Sequence, residues 1–246
     1  MTERINIIGV PISAVNMESA MGEISGNLDV AKEKYICASN VHTTVMAREN
    51  PNYLEVQRDS FLTLPDGKPL SVVGKKRGAV EMGQVRGLDL MKNIFSNCQL
   101  NGYKHYFYGN TKENLDTLIE KLKQDYPTLN IVGYKPSVFR ELTEDELESL
   151  AAEIKKTGAD FLWVALGAPR QEFFCSRIQG KTGAVPVGVG GAFNVLAGIV
   201  PDAPKLMKKL SLEWLYRFIK EPRRLFKRYF TTNFKFIFYL LMEKKR

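Results

Sequence analysis

The chain alternates short apolar runs with helix-patterned stretches, and that alternation restricts it to a small set of folds. The runs INIIGV (5–10), YICAS (35–39), HYFYG (105–109), LNIVGY (129–134), DFLWVALG (160–167) and AVPVGVGG (184–191) read as strands, several without polar alternation. Strands lacking a polar face are buried on both sides, as in a parallel sheet. Between them, 111–126 places Leu115, Leu118, Ile119 and Leu122 on one helical face. Thr143 followed by Glu146 has the capping-box spacing that opens a helix over 143–157. Such repetition predicts βαβ units: an α/β fold with a Rossmann-like open, mainly parallel sheet and helices on both faces. The 246 residues contain no internal repeat, low-complexity segment or Gly/Ser linker.

Past Pro201 the pattern changes. Residues 205–246 hold 13 Lys/Arg against 3 Asp/Glu, which leaves 22 against 24 in residues 1–204. The whole positive excess therefore lies in the tail and points to a polyanionic partner. The division expected is a catalytic body over 1–204 and a basic amphipathic helical appendage over 205–246. Pro222 should interrupt or kink the appendage helix. Counted at 100° per residue, Arg217, Arg224 and Arg228 fall within about 20° of one another. Phe234–Met242 is apolar but too short to span a bilayer, and fits a helix lying in the interface.

Other classes are disfavoured. Cys37, Cys98 and Cys175 share no short spacing, and His42 and His105 lie far apart, so no disulfide framework or Cys/His metal site is expected. The start MTERINIIGV lacks a signal-peptide pattern, and a cytoplasmic location is expected. The Glu144-Asp145-Glu146 cluster reads as the acidic first turn of a helix. There is no Asp-x-Asp pair, so no metal and no cofactor are expected.

Three strand ends run through glycine into helix starts: Gly109-Asn110-Thr111, Gly167-Ala168-Pro169 and Gly188-Val189-Gly190-Gly191. Free amides and helix dipoles at such ends favour phosphate, although turn glycines need no ligand to explain them. The spacing is not GxGxxG, which disfavours a dinucleotide site and an epimerase. Asp66, in Pro65-Asp66-Gly67 after an apolar run, stands where a general base could; ordinary turn chemistry is the commoner meaning of that tripeptide. Arg170, Gln171 and Glu172 open a helix behind Pro169, either to bond a ligand or to face solvent.

Taken in order, Ser39-Asn40, LPDGKP (64–69), RGLDLM (86–91), YFYGN (106–110), LGAPRQE (166–172), GVGGAFNVLAG (188–198) and LEWLYRFIKEPRRLFKRY (212–229) resemble the WecG/TagA/CpsF glycosyltransferases. The resemblance implies transfer from a UDP-sugar to a polyprenyl-diphosphate-linked sugar, with inversion and without metal, at the inner face of a bacterial membrane. It implies Asp66 as base, and substrate contacts from Asn40, Arg86, Gly109, Gly167, Gln171, Gly190 and Gly191. Arg217, Arg224 and Arg228 would close over the departing diphosphate, for which the guanidinium fork is suited. Three positions depart from the pattern. Gln84 precedes Arg86 where an arginine two residues earlier is usual, Asn194 replaces a common Asp, and Asp202 replaces a usual Arg. The expected partners are the donor, the lipid-linked acceptor and an anionic membrane surface, not nucleic acid; a homo-oligomer is left open. The rival is a non-enzymatic α/β module whose basic tail binds anionic lipid or nucleic acid.

Overall fold

The computed structural model describes residues 2–204, 207, 213–220 and 222–243; the side chains of 98–101, 213–214, 217, 220 and 222–229 lie outside that description. The first apolar run departs from expectation. β1 (Arg4–Ile7) and β2 (Val10–Ser13) pair antiparallel as a separate hairpin, with Ile5 opposite Ile12, and do not join the main sheet. The reversal falls at Ile8 and Gly9, with φ of 49° and 87°. Consecutive left-handed residues are what a two-residue turn between twisted strands requires. In INIIGV only the glycine hints at it.

The main sheet is wholly parallel. Its strands are β3 (Ile36–Ser39), β4 (Leu62–Pro65), β5 (Lys104–Gly109), β6 (Asn130–Lys135), β7 (Phe161–Ala165) and β8 (Val185–Gly188), in the order β4-β3-β8-β7-β5-β6. β3, β4, β7 and β8 are almost entirely buried, as their unbroken apolarity predicts. β6 is an edge strand with half-exposed side chains.

Helices cover both faces. One face carries α1 (Met17–Gly26), α2 (Leu28–Lys32), α6 (Gly87–Asn101), α7 (Lys112–Asp125) and α10 (Ala192–Leu196), packed on Leu64, Phe107, Trp163 and Val187. The other carries α3 (Val41–Glu49), α4 (Pro51–Asp59), α5 (Lys68–Lys76), α8 (Glu144–Thr157), α9 (Arg170–Ile178) and the hairpin, packed on Cys37, Tyr108 and Val164. Leu115, Leu118, Ile119 and Leu122 are all buried on α7, each contributing about 1.5–3 kcal/mol. Thr143 and Glu146 close the expected capping box, and the acidic first turn of α8 follows it.

His105 is fully buried, ring-stacked with Phe161 and Trp163. Its Nδ1 accepts a 3.2 Å hydrogen bond from Trp163 Nε1, and burial pushes its pKa down to about 4. It is a neutral core residue. Cys37 and Cys175 are buried free thiols.

The tail forms α11 (Glu213–Lys220) and α12 (Pro222–Glu243); the interruption expected at Pro222 falls on the junction between them, which lies outside the described residues. The end of α12 docks on α3. Tyr239 Oη donates to Glu49 at 2.8 Å, Lys235 pairs with the same carboxylate at 2.8 Å, and the Arg48 guanidinium lies 4.4 Å over the Tyr239 ring. Phe236 is buried against the body, whereas Phe230, Phe234, Ile237, Phe238 and Leu241 are exposed on the opposite side of the helix. No helix among the described residues is long and apolar enough to cross a membrane.

Candidate active site

Strand register brings the candidate residues to one edge. Ser39 lies opposite Pro65, Cys37 and Val164 both lie opposite Gly188, and Gly109 lies opposite Ala165. Asn40, Asp66, Gly109, Gly167, Gln171, Gly190 and Gly191 therefore sit at the carboxyl ends of five neighbouring strands. Four inter-strand steps make that edge about 19 Å wide. The chain leaves β3 and β7 for one face but β8 for the other, and ligands of open α/β sheets lie where such connections diverge.

Asp66 is held from several sides. Its backbone N–H donates to Ser39 O at 2.8 Å, and its carbonyl accepts from Gln84 Nε2 at 2.8 Å. One carboxylate oxygen accepts the Gly87 N–H at 3.0 Å, at the first residue of α6. That carboxylate therefore lies at the positive end of the helix dipole. Asn40 caps α3, its Oδ1 accepting from His42 and Thr43 N–H at 3.0 and 3.3 Å. A Cβ on Gly67 would lie 3.2 Å from Asn40 Cα, so the two turns pack directly together.

Gln171 joins two glycine loops. Its Oε1 accepts from Gly167 N at 3.2 Å, and its Nε2 donates to Glu172 Oε1 at 2.8 Å. A Cβ on Gly190, at φ 51°, would meet Gln171 Oε1 at 3.1 Å. Gly109 is equally constrained: at φ 123°, a Cβ there would lie 2.5 Å from Ala165 O. Gln171 and Glu172 are only 5% and 1% exposed, so of the two readings the solvent-facing one does not hold for them. Neighbouring Asn110 donates to Asn194 at 2.6 Å, which ties β5 to α10.

Arg86 is buried, forking onto Asp89 through Nε and Nη2 at 2.5 and 2.6 Å. Its Nη1 lies 3.6 Å from Asp202, which also lies 3.8 Å from Lys92. The sequence pattern flagged Arg86 but not these acidic partners. Arg217 falls in α11 while Arg224 and Arg228 fall in α12. Their side chains, and the residue joining the two helices, lie outside the described residues, and so does the single face expected for the three.

A cavity of about 250 Å³ borders the ends of β5 and β7, lined by Tyr108, Arg140, Leu166, Arg170, Phe174 and Arg177. Arg140 is bonded to Glu146 and Arg177 to Glu144, at 2.5 and 2.6 Å. Nothing in the sequence signals this cavity, because its residues come from β5, α9 and the segments that follow β6 and β7. Among the described residues no three His, Cys, Asp or Glu gather as a metal would require.

A six-stranded parallel sheet with the motif residues gathered on one edge agrees with one further finding. The Glycosyl transferase WecG/TagA/CpsF family matches residues 5–246. The chain belongs to that family. A relative from Bacillus spizizenii is 32% identical over 198 residues, covering 80% of this chain and 75% of its own. Another, from Bacillus subtilis, is 29% identical over 190 residues, covering 77% and 72%. Both are named N-acetylglucosaminyldiphosphoundecaprenol N-acetyl-beta-D-mannosaminyltransferase. Membership in this glycosyltransferase family sets aside the non-enzymatic reading.

Proposed function

We propose that this glycosyltransferase moves an N-acetylmannosamine-type sugar from a UDP-sugar to a polyprenyl-diphosphate-linked sugar, with inversion and without metal, in cell-surface polymer synthesis. The observation that carries the reading is the convergence of Asp66, Asn40, Gln171 and the glycine loops on one strand edge in a member of this family. Inversion needs one base to take the acceptor hydroxyl's proton as oxygen attacks the anomeric carbon. Asp66 is anchored by backbone contacts on both sides, which supports that role. Gln171, Asn40, Gly109, Gly167, Gly190 and Gly191 hold substrate beside it.

The departing diphosphate needs positive charge. Arg86 contributes only in part, because two carboxylates already face it. Arg217, Arg224 and Arg228 supply the remainder from the tail. Attachment at the inner membrane face comes from the same appendage, through the exposed Phe230, Phe234, Ile237 and Leu241 stripe and the tail's basic residues. Basic groups near an anionic surface contribute about 1 kcal/mol each.

The test is a panel of UDP-sugars offered with a soluble N-acetylglucosamine-diphosphate-lipid analogue, in EDTA. UDP release and the product's anomeric configuration are read. Absence of transfer from every donor, retention of configuration, or activity that needs added magnesium or manganese would each contradict the reading.

A further inference from the structure

Glu172 carries the one buried carboxyl among the described residues. Its Oε1 accepts from Gln171 Nε2, while its Oε2 is enclosed without a hydrogen-bond partner. Tyr53, from α4, turns its hydroxyl toward this carboxyl without closing a direct hydrogen bond, and Tyr53 Oη and Gln57 Nε2 are likewise buried and unpartnered. Gln57 Oε1 accepts a 2.5 Å hydrogen bond from Ser39, the last residue of β3. A polar seam thus runs beneath the strand edge, from Ser39 and Gln57 through Tyr53 and Glu172 to Gln171.

The other titratable groups facing Glu172 are Cys37 from β3 and Cys175 from α9. Neither is a cation. Arg4 reaches toward Cys37 but is bonded to the carbonyls of Arg58, Ser60 and Phe61. A carboxyl enclosed this way costs more than an apolar side chain of the same size. Its one direct side-chain bond is to Gln171.

An amide can present either end to a given neighbour, and only its hydrogen-bond partners decide which. An acceptor oxygen on Glu172 selects Nε2, which leaves Gln171 Oε1 for the Gly167 N–H and the Gly190 loop. We propose that Glu172 is a positioning residue that fixes which end of the Gln171 amide faces the substrate edge. The proposal rests on the reading of Gln171 as a substrate contact. Burial pushes the carboxyl up to about 7, so its proton is exchanged in the neutral range and the amide should register the change.

The experiment uses the full chain and the assay above, together with the side-chain ¹⁵N signal of Gln171. Glu172→Gln keeps an acceptor for Nε2 and should retain kcat within about threefold. Glu172→Leu should lose about 10- to 100-fold in kcat, the scale that misplacing a substrate contact can cost, and should match Gln171→Ala. The double variant should fall no further. The Gln171 signal should titrate near pH 7 in the wild type and not in Glu172→Gln. Tyr53→Phe, which leaves the Gln171 contact intact, should move that titration to higher pH.

Multiplying defects, full activity of Glu172→Leu beside an impaired Gln171→Ala, or a Gln171 signal indifferent to pH would each overturn the proposal. Should Glu172→Leu fail to fold, the titrations of the wild type, Glu172→Gln and Tyr53→Phe decide alone. If Gln171→Ala is fully active, it is the substrate role of Gln171 that fails, and the titrations still decide whether Glu172 positions the amide.

Discussion

Arg86 Nη1 and Asp202 Oδ1 lie 3.6 Å apart, so the arginine that leads into α6 faces an acid from the segment after α10. Lys92 lies 3.8 Å from the same carboxylate. Asp202→Ala should cost about 1 kcal/mol or less, the range for partly exposed pairs. Asp202→Arg should cost more, because it puts a third cation beside Arg86 and Lys92. Adding Arg86→Ala to Asp202→Arg should recover part of that loss, as read by urea denaturation.

Asp66→Asn should lower turnover by about two to four orders of magnitude with little change in Tm. The asparagine oxygen can still accept the Gly87 N–H that Asp66 accepts at 3.0 Å. Asp66→Ala should lose the same activity and about 1 kcal/mol besides, since the start of α6 then lacks its acceptor. Near-normal turnover in pure Asp66→Asn would remove this residue from the mechanism.

His105 sets an acid limit on stability. Its pKa is about 4 in the folded chain against 6.5 ordinarily, so between those values the unfolded chain binds more protons. Stability contributed by the neutral ring is complete above pH 6.5 and is lost as pH falls toward 4. The loss amounts to up to about 3 kcal/mol. Glu172 works in the opposite sense: its raised pKa makes stability fall as pH rises from 4.5 to about 7. The two windows overlap and offset each other, so relative to the wild type, stability across pH 4–7.5 should fall with rising pH in His105→Phe and climb with rising pH in Glu172→Gln. His105→Phe should also cost about 1–3 kcal/mol, because Trp163 Nε1 loses its acceptor.

The two sides of α12 should respond differently to charge. Phe234→Asp with Ile237→Asp should leave Tm unchanged yet release the protein from anionic vesicles. Phe236→Asp should destabilise the docked helix itself, since Phe236 is buried against the body. Arg224→Ala should reduce turnover on a soluble acceptor, which separates diphosphate binding from attachment. Full activity of a chain ending at Pro204 on that acceptor would reduce the tail to an anchor.

The parallel sheet and its helices were legible because unbroken apolar strands and 3.6-residue periodicity both report burial directly. Capping residues such as Thr143 announced their helix as well. The hairpin was not legible, because Ile8 adopts a left-handed conformation that its side chain gives no reason to expect. At the site, residues in motifs were found and their supports were not. Tyr53 and Gln57 sit on a helix whose sequence looks ordinary, and only the fold turns them toward Glu172. The acidic partners of Arg86 were equally hidden, since Asp202 reaches it from 116 positions away in the chain.

β8 is the last strand made but lies in the middle of the sheet, between β3 and β7. Before it is in place, β3 and β4 form one ribbon and β5, β6 and β7 another, with no backbone ladder joining them. The half that holds Asn40 and Asp66 is therefore wedded to the half that holds Gln171 only once about three-quarters of the polypeptide has left the ribosome. Closing contacts so distant in sequence is slow. A nascent chain halted before Val185 would carry both halves of the substrate edge with no backbone ladder between them.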